Sequence, residues 1–150
     1  HHPGVHPAAS WVEFEPEKVI FVGDTVVIKE PPFLDCCDLN LWIENLNRLS
    51  SNDYQDYKII GGRNGVVRQR SIIKLMKFLA TVKEMVLELS MMESQELALA
   101  DRVNKLMKTL NYDRELENYY KSRLTRGLKQ LLFRYEKGEL LIKGADDAGC

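Results

Sequence analysis

Histidine is nearly missing from this chain: it occurs only at positions 1, 2 and 6. The opening HHPGVHPAAS reads as the end of an affinity tag with a linker. Residues 1–10 are therefore set apart from the fold, and His1, His2 and His6 are not counted as metal ligands. That leaves histidine-based catalysis and His-ligated zinc without residues. Cysteine is sparse too, at Cys36, Cys37 and Cys150. An adjacent pair plus one terminal thiol matches neither a CxxC pair nor an even disulfide framework. Reduced thiols follow, and with them an expected cytoplasmic or nuclear location. No apolar run approaches the roughly 18 residues that a membrane span needs. No stretch has the charged start, apolar middle and small-residue cleavage site of a secretion signal. Internal repeats and low-complexity segments are absent.

What is present suits one globular domain. Hydrophobic residues make up 45% of the 150 and charged residues 29%, enough to close a core under a solvated surface. The domain is read as 11–143, with 144–150 a flexible tail. KVIFVGDTVVIKE (18–30) predicts a β-hairpin, two β-branched runs around Gly23-Asp24, ended by Pro31-Pro32. Leu39, Ile43, Leu46 and Leu49 have helical period and predict a short helix over about 37–50, capped by Asp35 or Asp38. KIIGGRNGVV predicts two short extended pieces around its glycines.

Three longer helices follow from apolar stripes. The first carries Ile72, Leu75, Met76, Leu79, Val82, Met85, Val86 and Leu89. The second carries Leu97, Ala100, Val103, Leu106, Met107 and Leu110. The third runs from about Asp113 to Lys137 and stops at Gly138, suited to a left-handed C-terminal position. Short connections favour antiparallel neighbours. The expected fold is mainly α with minor β: an antiparallel bundle of three long helices and one short one, an N-terminal hairpin, and a strand from ELLIK able to join it.

Charge is unevenly spread. Residues 1–62 sum to −6 and residues 63–150 to +5. Two such parts can attract each other within one fold or offer faces to different partners. YYKSRLTRGLKQLLFRYEKG (119–138) holds six cations and one acid. On a helical wheel its leucines fill one arc and Arg123, Arg126, Lys129, Arg134 and Lys137 most of the other, with Phe133 among them. That face is either the solvated side of a bundle helix or a surface for a protein, nucleic acid or anionic membrane. A second basic cluster, itself free of acids, is Arg63, Arg68, Arg70, Lys74 and Lys77; it follows the glycines of GGRNG, whose spacing is neither GxxxxGK[ST] nor GxGxxG.

The acids of the first part match no calcium loop, and Cys36-Cys37 lacks a histidine base. No catalytic residue, cofactor or metal is assigned. The reading is a non-catalytic protein-interaction module or adaptor, a subunit of a larger assembly, whose partner is another protein. The alternative is nucleic-acid binding through Arg123, Arg126, Lys129, Phe133, Arg134 and Lys137, joined by Arg63, Arg68 and Arg70. An enzyme of unfamiliar type stands third.

Overall fold

The computed structural model describes residues 1–63 and 65–140. Four helices dominate: α1 (Leu39–Leu49), α2 (Gln69–Ser90), α3 (Gln95–Thr109) and α4 (Glu117–Glu136). Single 3-10 turns stand at Asn52–Tyr54 and Arg114–Leu116. Four short strands, β1 (Val12–Phe14), β2 (Val19–Gly23), β3 (Lys58–Gly61) and β4 (Gly65–Val67), form one sheet in the order β1-β2-β3-β4. The chain is mainly α with a small β element.

The helices follow their apolar stripes, and α1 also has a side-chain cap. Asp38 caps α1, its side chain accepting from the Leu41 N–H at 3.0 Å. On α2 the buried residues are Ile72, Leu75, Phe78, Leu79, Val82, Met85, Val86 and Leu89. α3 buries Leu99, Val103, Leu106 and Met107, while Leu97 is 81% exposed and Ala100 exposed. The stripe expected from Leu97 is thus rotated at its start, because Leu99 continues the i, i+4, i+7 series and Leu97 does not. α4 ends in a Schellman motif at Gly138 (φ 70°). The Glu139 N–H reaches the Arg134 carbonyl at 2.9 Å and the Gly138 N–H reaches Tyr135 at 3.0 Å.

Contacts between helix ends fix their directions. Arg102 on α3 pairs with Glu88 near the end of α2, and Gln95 at the start of α3 bonds Glu136 at the end of α4. Consecutive long helices therefore run antiparallel. α2 packs against α1, α3 and α4, and one apolar core runs from Trp11 to Leu140.

The hairpin is displaced from its expected span of 18–30. β1 pairs antiparallel with β2, Glu13 opposite Ile20, through a turn in which Lys18 takes a left-handed conformation at φ 50°. Chain 24–30 forms no strand. Its apolar run turns inward because Thr25 is held from two sides. The Trp11 indole donates to its hydroxyl (3.0 Å), and the Trp42 indole donates to its carbonyl (2.8 Å). Val26 is fully buried beside them. The strand that joins the hairpin is β3, parallel to β2 with Ile20 opposite Ile59, and β4 completes the sheet. Residues 141–143 of ELLIK and the tail 144–150 lie outside the described residues.

Two close approaches depend on glycine. A Cβ on Gly127 would stand 2.7 Å from the Leu34 Cβ, so the segment 31–37 crosses α4 at backbone contact there. The opening residues, expected to stand outside the fold, pack onto it. The Gly4 carbonyl accepts the Asp38 N–H at 2.7 Å, the Pro3 carbonyl accepts the Asn45 amide at 2.6 Å, and the His2 ring stacks on Trp11 at 3.7 Å. A Cβ on Gly4 would meet the Trp42 Cα at 2.8 Å.

Candidate functional site

Arg123 was placed on the cationic face by its wheel position, yet it is buried at 6% exposure. A buried guanidinium needs partners. Its Nη1 donates to Glu30 Oε2 and to the Pro31 carbonyl, each at 2.8 Å. Its guanidinium lies 4.0 Å from the centre of the Phe33 ring, with Tyr119 and Tyr120 at 5.0 and 5.2 Å. Among the described residues Nε has no partner.

The rest of the basic residues divide into paired and unpaired groups. Arg126 makes a two-pronged bond to Asp35, both arms at 2.9 Å, and that bond raises its pKa above the ordinary guanidinium value. Arg134 donates to the Cys37 carbonyl at 2.8 Å. Arg63 makes the same two-pronged bond to Asp24 and stands 4.0 Å from Glu30. The Asp24 bond likewise raises the Arg63 pKa. The two basic clusters do meet, at Glu30 and Phe33, where Arg63 and Arg123 flank one ring. There they are bridged by the acids of the first part instead of forming one positive field.

Lys129, Lys137, Arg68 and Arg70 make no ion pair among the described residues. Phe133 is 51% exposed, with the Lys137 ammonium 5.7 Å from its ring centre. It borders a hollow of about 260 Å³ between α3 and α4, with Leu99, Lys129, Leu132 and Glu136.

The thiols are separated by their surroundings. Cys36 is exposed, whereas Cys37 is buried and donates from Sγ to the Leu34 carbonyl at 3.3 Å. Burial pushes the Cys37 pKa up to about 12, which makes it a poor nucleophile. Among the described residues no three His, Cys, Asp or Glu side chains gather as metal ligands. Among the same residues no helix is long and apolar enough to cross a membrane.

The sheet holds a surface that the sequence reading missed. Its inner face supplies Ile20, Val22, Ile59 and Val67 to the core. On the other face, the register aligns Val12, Phe21, Ile60 and Val66 in one row across all four strands. Phe14, Val19 and Lys58 form the next row. Val12 and Val66 are 54% exposed, Phe14 49% and Phe21 45%. The two phenylalanine rings meet edge to face, 6.0 Å between centres. A sheet with one wet face normally alternates apolar and polar residues; VIFV in β2 does not alternate. That unbroken run, the pattern of a strand covered on both sides, was the available signal.

No family model, curated protein or solved structure matches the chain.

Proposed function

We propose that this chain is a non-catalytic interaction module, a subunit of a larger assembly, and that it meets its protein partner through the outer face of the sheet. One observation carries the reading: the Val12–Phe21–Ile60–Val66 row with Phe14 beside it is apolar and half exposed on a sheet whose other face is already filled. Exposed contiguous apolar surface of this kind marks an interface more often than a solvated face, and aromatic residues are enriched in such patches. The charge distribution points the same way. Arg63, Arg123 and Arg126 are engaged by acids of this chain, which removes three of the cations a phosphate-binding face would need. A second reading, nucleic-acid binding, keeps support from Arg68, Arg70, Lys129 and Lys137, which have no ion-pair partner among the described residues.

Photo-crosslinking amino acids placed at positions 14 and 21 test the reading in cells that produce the chain. Discrete protein adducts are expected from both positions, and their yield should drop at least fivefold when Val66→Glu puts a charge in the same row. Position 84 on α2, where Glu84 is exposed, serves as the control. Adducts of equal yield from all three positions, or none from 14 and 21, refute the proposed surface. Nucleic acid in place of protein in the adducts selects the second reading.

A further inference from the structure

A groove of about 620 Å³ runs beside the first three turns of α2. Its floor is apolar, built from Val27, Leu75, Phe78 and Leu110, and its rim carries Lys29, Arg70, Lys74 and Lys77. The volume is that of a small-molecule site. We infer that this groove binds an amphipathic anion, a phosphate or carboxylate head on a linear apolar tail. The inference is independent of the sheet surface and of any protein partner.

Among the described residues the rim has no acid free to balance its cations. Among the described residues Glu30 is the only acid lining the groove, and its carboxylate is already bonded to Arg123 at 2.8 Å and faces Arg63 at 4.0 Å. Lys29, Arg70, Lys74 and Lys77 form no ion pair among the described residues. Arg70, Lys74 and Lys77 stand at i, i+4 and i+7 on one face of α2, where like charges destabilise a helix. Arg70 also stands in the first turn, where the macrodipole favours anions and disfavours cations. No acid occupies the first turn, and the N-cap Arg68 makes no side-chain bond to the free N–H groups. Lys29 adds backbone strain at the same wall, since its φ of 68° is left-handed for a residue that bears a Cβ. Four cations without an ion-pair partner among the described residues thus line one cleft, beside a helix start that has no side-chain cap.

The floor selects an alkyl tail over a peptide. Thr81 and Thr109 line it, yet each hydroxyl donates to its own helix, Thr81 to the Lys77 carbonyl at 3.0 Å and Thr109 to Leu106 at 2.8 Å. With those hydroxyl protons committed, Ser71 and Asn111 are the remaining neutral polar side chains among the described lining residues, and Val27, Leu75, Phe78 and Leu110 turn carbon toward the groove. A peptide laid there would bury backbone N–H and C=O groups against it, at a cost that a hydrocarbon chain does not incur. From residue 70 to residue 81 the groove extends about 16 Å along the helix, at about 1.5 Å per residue. That length suits a tail of medium size with its head at the lysines.

Dodecyl phosphate below its micelle concentration is the probe, titrated into the whole chain and followed by calorimetry and by amide NMR shifts. Binding with shifts along 70–81 is expected, tightening about three- to fourfold per methylene from hexyl to decyl phosphate. Lys74→Glu with Lys77→Glu should weaken binding at least tenfold. The same double variant should melt no lower than the parent, because it turns the repulsion between positions 70 and 74 into attraction while positions 74 and 77 stay alike in charge; lost binding is then not lost fold. Vesicles of phosphatidylcholine with phosphatidic acid separate the two sources of such a head. Co-sedimentation abolished by the double variant places the head in a bilayer, and binding of the monomer without co-sedimentation places it in free solution. Equal affinity for a nonionic dodecyl ether, equal affinity for inorganic phosphate, or an unaffected double variant would overturn the assignment.

Discussion

Cys37 shows how much one side chain's surroundings decide. Its thiol sits in the core with Leu34 and Leu39, and burial lifts its pKa to about 12. The thiolate is disfavoured in the folded state, so the folded chain holds the proton at a pH where the unfolded chain has released it. Stability is therefore complete below the ordinary thiol pKa, about 8.5. It falls as pH rises toward 12, by about 1.4 kcal/mol per pH unit. Urea denaturation at pH 8.0 and pH 10.0 should show a loss of about 2 kcal/mol that Cys37→Ala largely removes. An unchanged pH slope in the variant would mean the thiol is hydrated after all. Cys36, one residue away, is exposed; alkylation of the native chain should label it and leave Cys37 untouched. Nothing in the dipeptide distinguishes the two, because the wheel of a helix that begins at Leu39 does not extend to them. Their difference comes from the 31–37 segment lying across α4.

At the level of the element, that crossing rests on Gly127. Alanine there would gain up to about 1 kcal/mol of helix propensity. Its methyl would stand 2.7 Å from the Leu34 Cβ, a rigid neighbour that is 1% exposed. Overpacking of this kind costs about 1–3 kcal/mol, so the packing effect outweighs the propensity. Gly127→Ala should lower stability by about 1–2 kcal/mol. Hydrogen exchange should rise at 31–37, because the Arg126–Asp35 and Arg134–Cys37 contacts hold the same segment. Unchanged exchange there would show that the crossing adapts. Elements were legible in the sequence where the signal was local. Period located all four helices, the cap read at Asp38 fits α1, and Gly138 marked the end of α4. The hairpin was read one run too late, because VIFV and VVI are two apolar runs on either side of Gly23-Asp24 and a glycine turn looked local. What decides it is Thr25, held by two indoles from positions 11 and 42. The parallel β2–β3 pairing and the uncovered sheet face depend on Ile20 meeting Ile59, a contact with no trace in either strand alone.

Across the whole molecule, the opposed charges of the two parts are used inward. Asp24, Glu30 and Asp35 from the acidic part engage Arg63, Arg123 and Arg126 from the basic part. The asymmetry itself was plain in the sequence. Its direction was not, since whether a cation on a wheel meets solvent or a distant acid depends on the crossing of a segment about ninety positions away. The three pairs differ in weight. Arg126 and Arg63 are 68% and 41% exposed in their side chains, where such pairs contribute little. Arg123 is 5% exposed and Glu30 16%, and removing one partner of a buried pair costs the desolvation of the other. Arg123→Ala should therefore destabilise the chain by about 3 kcal/mol, the low end for a buried pair because Arg63 still faces Glu30. Because one core joins the sheet to the helices, the loss should move the whole transition. Helical circular dichroism reports mostly on α2–α4, and the fluorescence of Trp11 and Trp42 reports on the sheet side. Both probes should shift by the same amount and remain superimposed. A variant in which the helical signal melts early while the tryptophans hold would mean that the two parts are separate folding units tied only at their surfaces. The Arg123–Glu30 pair would then be a clasp between domains instead of part of one interior.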